Sequence, residues 1–334
     1  MVSALSLIAI ASLAAALDLE SLFGSQYPVK YCNTFNAPYT CENKTEYSNE
    51  CCFEKDGFML LAQFWDYDPS LGKLVSNSTT NSTSTNSTTN STSSLNSTEF
   101  AGTDSYEWGI GYFGEWLKSQ WSSPTIDPSS HMPIDKSFTI HGLWSDKCDG
   151  TWEQYCQPDL EVPEDADLEE LLVNDFNKEA LFKLMETYWV NTADSNVAGD
   201  SNQKLWLHEY NKHATCMNTV NPSCFTDSYK EHEAAVLFWQ KVTQIWDSLN
   251  TYEFLSASGI VPTTAKQYKL SDIQEALSKF HGDKEVHVGC TKAGIMNEIW
   301  YYYLLKGSVF TGTYKFEDAL GSSTCPEYVW YIPK

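Results

Sequence analysis

Positive charge is scarce in this sequence. Lysine and arginine total 21 against 44 aspartates and glutamates, a formal net charge of −23 at pH 7. That balance excludes a protein that holds nucleic acid on a broad basic surface. It leaves room for a small site acting on such a polymer, with little help from long-range steering. Repulsion of an anionic substrate falls as carboxylates begin to protonate in mildly acidic solution. No C-x2-C pair occurs among the ten cysteines, so the usual zinc-ligand spacings are missing. After the first 16 residues, no apolar run approaches the ~18 residues of a membrane span, and no membrane partner is expected.

What is present points to a folded, exported chain. Its 334 residues suffice for one large domain or two small ones. Hydrophobic residues make up 42% and aromatic ones 14%, so most of the chain can build a core. The 12 Trp and 19 Tyr in it need polar partners for their ring N–H and O–H groups. Residues 1–16 are apolar and small, end in Ala14-Ala15-Ala16, and read as a signal peptide, although no Lys or Arg stands at their start. The cysteines all follow this leader, and their even number implies five disulfides formed in an oxidising compartment. Cys51 and Cys52 are adjacent and must reach different partners; spacing leaves the connectivity open. Six N-x-S/T sequons, at Asn43, Asn77, Asn81, Asn86, Asn90 and Asn96, predict glycosylation, five of them crowded into 20 residues.

The tract 76–98 is almost only Asn, Ser and Thr and cannot bury apolar surface. It falls between two strand-like runs, 58–65 (FMLLAQFW) and 137–143 (SFTIHGL). The simplest organisation is one domain over 17–334, with 70–136 as a glycosylated insertion that also holds the Trp- and Gly-rich stretch 106–121. Beyond residue 150 the patterns turn helical. An acidic start marks 167–190; 204–215 is a short helix; Phe238, Val242, Ile245, Trp246 and Leu249 share one helical face within 227–249; and 270–280 has Ser271 as its N-cap. Strands are expected at 284–290, 299–305 and 328–332. Grouped helices and strands out of regular βαβ order give an α+β class: a central, mainly antiparallel sheet with packed helices, stapled by disulfides.

Chemistry concentrates in His208-Glu209-Tyr210-Asn211-Lys212-His213. On a helix, His208 and Lys212 are i, i+4 neighbours, and so are Glu209 and His213. The carboxylate is placed to orient the His213 imidazole, and the lysine adds a fixed positive charge suited to a phosphate. The zinc-peptidase pattern H-E-x-x-H looks similar, but the residue four after His208 is Lys212 and the second histidine comes five after. Two ligands on one helical face need i, i+4 spacing, and the lysine would set a like charge against the metal. A second histidine, His141, follows a strand-like Phe138-Thr139-Ile140 and is expected to open a loop with Gly142. Near it stand Trp144, Asp146 and Trp152, with faces to stack bases and a carboxylate to accept from base amino groups.

These residues carry a family resemblance. Phe138-Thr139-Ile140-His141-Gly142-Leu143-Trp144 resembles the first active-site segment of the ribonuclease T2 family. Trp206-Leu207-His208-Glu209-Tyr210-Asn211-Lys212-His213-Ala214-Thr215-Cys216 resembles the second. Residues 146–156 and 63–69 are similar to the fungal branch, and a looser likeness runs from Cys32 to Cys325. The resemblance implies an endoribonuclease that needs no metal or cofactor, acts as a monomer on single-stranded RNA and spares DNA. It implies an acidic working range, low base specificity, and secretion or delivery to a vacuole or lysosome. In the roles it implies, His213 is general base on the 2′-hydroxyl and His141 general acid on the leaving 5′-oxygen. His208 holds the phosphate, while Glu209 and Lys212 support the pentacoordinate transition state. Products would be a 2′,3′-cyclic phosphate and then a 3′-phosphate. Trp144, Asp146 and Trp152 would form the first base pocket. The implied disulfides are Cys32–Cys52, Cys41–Cys148, Cys51–Cys224, Cys156–Cys216 and Cys290–Cys325. Departures from the family pattern are Trp152 for tyrosine, Ser145 for proline, Tyr210 for tryptophan and Ala214 for glycine. A positive φ at Ala214 would cost about 1 kcal/mol.

The remaining histidines, His131, His232, His281 and His287, lie outside such a constellation and read as structural. The acidic run 161–170 reads as a solvated face. A binding glycoprotein that keeps the fold without activity is the alternative class; intact His141, Glu209, Lys212 and His213 argue against it.

Overall fold

The computed structural model describes residues 27–34, 37–42, 49–55, 57–73, 131–192, Ser195, 197–199, 201–226 and 229–334. The expected leader, the six sequon asparagines, the stretch 106–121 and most of the insertion 70–136 lie outside them.

Strand β1 (Phe58–Phe64) is buried at every position. A run that is apolar but for Gln63 suits a strand covered on both faces. It lies between β2 (Thr139–Asp146) and β5 (Met296–Lys306), antiparallel to both. The far side of β5 carries β4 (His287–Cys290) along one half and β6 (Thr313–Glu317) along the other. A separate small ribbon joins β3 (Tyr268–Lys269) to β7 (Tyr328–Val329). Among the described residues, five α-helices pack around this frame: α1 (Glu179–Tyr188), α2 (Asn202–Lys212), α3 (Glu233–Asp247), α4 (Thr251–Ala257) and α5 (Leu270–Ser278). The class is α+β with an antiparallel sheet, as expected. No helix among the described residues is long and apolar enough to cross a membrane.

The two faces of the sheet do different work. Met59, Leu61, Ile140, Leu143, Ile299 and Tyr301 face the main core, in which α3 is sunk along most of its length. On the other face, Phe58, Leu60, Tyr302 and Leu304 form a smaller cluster at one end. Beside it the same face carries His141 and its neighbours. Indole N–H groups find backbone carbonyls: Trp239 donates to Trp206 O (3.1 Å), Trp206 to Trp189 O (2.8 Å) and Trp189 to His141 O (2.8 Å). This relay ties α3, α2 and the residue after α1 to β2. Leaving one such buried donor unpaired would cost about 1–3 kcal/mol.

Some local expectations are revised. The helix expected over 167–190 is interrupted: a π-helical stretch (Glu170–Asp175) ends before Asn177, which takes φ 54°, and α1 starts afresh. Asparagine tolerates that left-handed geometry. Ser271 does not cap α5; Lys269 occupies the N-cap, and the Leu270 N–H is satisfied by Glu327 O (2.9 Å) through the β3–β7 ribbon. The strand expected over 284–290 starts only at His287. Helix α4 and strand β6 had no clear sequence signal.

All ten cysteines are paired, as Cys32–Cys52, Cys41–Cys148, Cys51–Cys224, Cys156–Cys216 and Cys290–Cys325. These are the pairs that the resemblance implies. Cys148 and Cys156 pin both ends of the loop that follows β2.

His281 is fully buried among Tyr301, Tyr303 and Phe316, with Nε2 3.0 Å from Tyr302 O. Burial pushes its imidazole down to about 4. The unfolded chain therefore binds a proton near pH 6.5 that the folded chain refuses, so stability falls as pH drops from about 6.5 to about 4. Replacing His281 with glutamine removes that term. Denaturant unfolding at pH 7.5 and pH 4 should show the variant losing about 3 kcal/mol less than the wild type over this interval; equal losses would contradict the assignment.

Candidate active site

His141 owes its position to a bulge. Ala62 pairs with Gly142 and Gln63 with Ile140, so one extra residue is inserted on β2. That residue is His141. Ile140 and Leu143 both remain in the core, while His141 joins the opposite face. There its ring stacks on Phe64, with centroids 4.0 Å apart, and meets the Trp144 ring edge-on at 4.8 Å. Its Nδ1 lies 3.1 Å from Glu298 Oε1, and its Nε2 lies 3.7 Å from Glu209 Oε1.

Helix α2 supplies the facing half. Ser201 caps it, accepting from the Gln203 N–H at 3.2 Å. Leu205, Trp206, Leu207 and Tyr210 anchor it in the core, the tyrosine packing beside Phe238 and Trp239 where the family usually has tryptophan. Glu209 is fully buried against β2, and its Oε2 accepts from the Trp144 indole at 2.6 Å. Gly142 makes this possible: a Cβ there would sit 1.9 Å from Glu209 Oε2 and 2.7 Å from its Cδ. Burial raises the carboxyl above the usual range, opposed by the charge of His141 and the Trp144 hydrogen bond.

The expected Glu209–His213 pairing is not formed; Glu209 turns to His141 and Trp144. His213 is the last, C-cap residue of α2, and its imidazole stacks on Trp144 with centroids 5.1 Å apart and planes 23° from parallel. One indole thus has an imidazole on its face and another at its edge. His213 is only 8% exposed, and burial drives it far below the ordinary imidazole range, helped by Lys212, His141 and His208. His208 is pushed down to about 4 by burial, then by Lys212 and His141. Lys212 is half-buried and, among the described residues, makes no ion pair. The chain has no arginine, so cationic contacts to a phosphate fall to lysine and histidine. Ala214 lies in a short 3-10 turn (Ala214–Cys216) without positive φ, so its methyl causes no backbone strain.

The three expected base-binding residues differ in environment. Trp144 is committed to Glu209 and the two imidazoles, with Trp300 at its edge. Asp146 ends β2, and burial raises its carboxyl to about 6. Trp152 is 63% exposed on the loop held by Cys148 and Cys156. That loop is tied to α2 by the Tyr155 N–H, which donates to Lys212 O at 2.9 Å. Sequence reasoning passed over Phe64, Trp189, Glu298 and Trp300. Phe64 falls in the stretch 63–69 that resembles the fungal branch but carries no role there, and Glu298 lies inside a strand with no motif; the pairing of β1 with β2 and β5 brings both to His141.

A family model described as the ribonuclease T2 family matches residues 112–319. Among curated proteins, ribonuclease T2-like 1-A of Candida albicans is 31% identical over 324 residues, 96% of this chain and 62% of that protein. Ribonuclease T2 of Aspergillus oryzae is 31% identical over 89% of this chain and 82% of its own length. Ribonuclease M of Aspergillus phoenicis is 32% identical over 90% and 96%. The chain spans 62% and 57% of the Candida albicans and Debaryomyces hansenii relatives, less than two thirds of either. The crystal structure of Actibind, described as a T2 ribonuclease, matches with a TM-score of 0.65 at 31% identity, covering 92% of this chain and 99% of that one. With the family's model matching residues 112–319 and Aspergillus relatives 31–32% identical over about nine tenths of the chain, the chain belongs to the ribonuclease T2 family.

Proposed function

We propose that the chain is a metal-independent endoribonuclease of single-stranded RNA. The observation that carries this reading is the pair of imidazoles, His213 and His141, set around one indole, Trp144, at 5.1 Å and 4.8 Å. His213 takes the proton of the ribose 2′-hydroxyl. The 2′-oxygen attacks phosphorus, the bond to the 5′-oxygen breaks, and His141 gives its proton to that leaving oxygen. A 2′,3′-cyclic phosphate results. In the second step the roles reverse: His141 deprotonates water, and the product is a 3′-phosphate.

The local physics supports these roles. Burial keeps His213 neutral, as a base must be. Glu298 and Glu209 oxygens face both nitrogens of His141, ready to accept from a protonated ring. The Lys212 ammonium, which makes no ion pair among the described residues, and His208 answer the charge developing on the phosphoryl oxygens. Glu209, raised by burial, approaches that phosphate with little repulsion once protonated, which favours an acidic working range. DNA lacks the 2′-nucleophile and is spared. Exposed Trp152 stacks any base, consistent with low base specificity. Five closed disulfides suit a monomer released into an oxidising compartment.

The test digests RNA and its 2′-deoxy counterpart across pH 4–8 with and without EDTA. RNA alone should be cut, EDTA should not matter, and His141→Ala and His213→Ala should each lose about 10²–10⁴-fold in kcat. An inert, folded wild type, or cleavage abolished by EDTA, would overturn the proposal.

Asp146 gives a second test. Its carboxyl, raised to about 6, accepts from a base amino group above that pH and becomes a donor below it. Preference for adenine over hypoxanthine at the first base, measured as a ratio of kcat/KM, should therefore fall as pH drops from 7 to 5. In Asp146→Asn the ratio should be flat; a wild-type ratio independent of pH would remove Asp146 from base recognition.

A further inference from the structure

Glu298 belongs to no motif, yet it is the closest hydrogen-bonding partner of the His141 ring. It sits on β5 with its Oε1 3.1 Å from His141 Nδ1, and its side chain is 19% exposed. The neighbouring strand makes room for it. Gly289 on β4 stands directly opposite, and a Cβ at Gly289 would come within 2.9 Å of Glu298 Cβ and 3.5 Å of its Oε2. Other contacts fix the plane of the imidazole without choosing between its nitrogens: Phe64 stacks on it, Trp144 meets it edge-on, and Trp189 holds its backbone carbonyl.

An ionised carboxylate can only accept a hydrogen bond. Nδ1 must then carry a hydrogen in both the neutral and the protonated ring, and Nε2 becomes the only nitrogen that takes up and releases a proton. Nε2 is the nitrogen turned toward Glu209 and α2, where the other proposed reacting groups lie. The charged and titratable groups around the ring come from three elements. Helix α2 contributes His208, Glu209, Lys212 and His213; β5 contributes Glu298; and His287 on β4 feels the Glu298 charge. Phe64 and Trp144 bring none.

We propose that Glu298 is a positioning residue for His141: it holds the Nδ1–H tautomer and points Nε2 at the leaving 5′-oxygen. This rests on His141 acting as the general acid. The proton given to the 5′-oxygen leaves from Nε2, and Nδ1–H stays in place throughout. Glu298 accepts from Nδ1–H and takes no part in the proton transfer. When water attacks the cyclic phosphate, the same Nε2 accepts the proton back.

The experiment compares wild type, Glu298→Gln, Glu298→Asp and His141→Ala on two substrates. One is a dinucleoside phosphate, whose ribose leaving group needs an acid; the other is a nucleoside 3′-(4-nitrophenyl) phosphate, whose leaving group does not. Long-range 15N–1H spectra of the histidine rings report the tautomer directly. Glu298→Gln should lower kcat on the dinucleoside about 10- to 100-fold with little change in KM. It should leave the nitrophenyl ester nearly untouched and move the pH limb set by His141 to lower pH, since one negative charge facing the protonated ring is gone. Glu298→Asp should recover part of kcat. The wild-type spectrum should show His141 as Nδ1–H. An Nε2–H tautomer in the wild type, readable whether or not a variant folds, overturns the proposal. So does a Glu298→Gln variant with unchanged kcat and pH profile, or one that slows both substrates equally. If His141→Ala itself keeps full activity on the dinucleoside, the general-acid reading fails first, which separates the two failures.

Discussion

A single buried carboxyl joins the halves of the site. Glu209 leaves α2, fills the space where Gly142 has no side chain, and is held by the Trp144 indole. Its second oxygen, without a hydrogen-bond partner of its own, faces His141. Helix, strand and both histidines are referenced to this one contact. A carboxyl so placed is costly to desolvate, which is why the surrounding frame is so heavily built. The indole relay from Trp239 through Trp206 and Trp189 ends on the His141 carbonyl. The cystines at Cys148 and Cys216 hold the segments after β2 and after α2.

The electrostatics follow from the same burial. In a chain of net charge −23 without arginine, a phosphate cannot be attracted by the surface at large. The site compensates locally. Lys212 stays unpaired among the described residues, and desolvation keeps His208 and His213 neutral until an anion arrives. On the proposed mechanism a bound phosphate would favour the protonated form of His208, where the negative charge of the transition state grows. The glutamates on either side of His141 give that ring different surroundings from His213, although the two rings share one indole.

Much of this was legible in the sequence because it is local. The i, i+4 spacing put His208 and Lys212 on one helix, and the largely apolar run 58–65 marked the central strand, whereas the loop expected to open at His141-Gly142 is a bulge within β2, which runs on to Asp146. The spacing misled in one respect. It joined Glu209 to His213, whereas the helix ends at His213 and the carboxyl turns across to another strand. What stayed hidden was non-local. The bulge at His141 depends on register against β1, and Glu298 reaches the site only because β5 pairs with β1 and Gly289 leaves it space. The cap at Lys269 is likewise set by a tertiary contact, the Glu327 carbonyl, rather than by propensity.

The most direct test of the Glu209–Gly142 contact as the keystone is a double-mutant cycle on those two residues, read by unfolding free energy and kcat/KM. In Gly142→Ala the new methyl collides with the carboxyl, so both quantities should drop; in a Glu209→Ala background the same change should cost less, its remaining close contact being the Trp144 indole nitrogen at 2.9 Å. The account predicts a coupling of about 1–3 kcal/mol in stability. Strictly additive effects, or a Gly142→Ala variant as stable and active as the wild type, would contradict it.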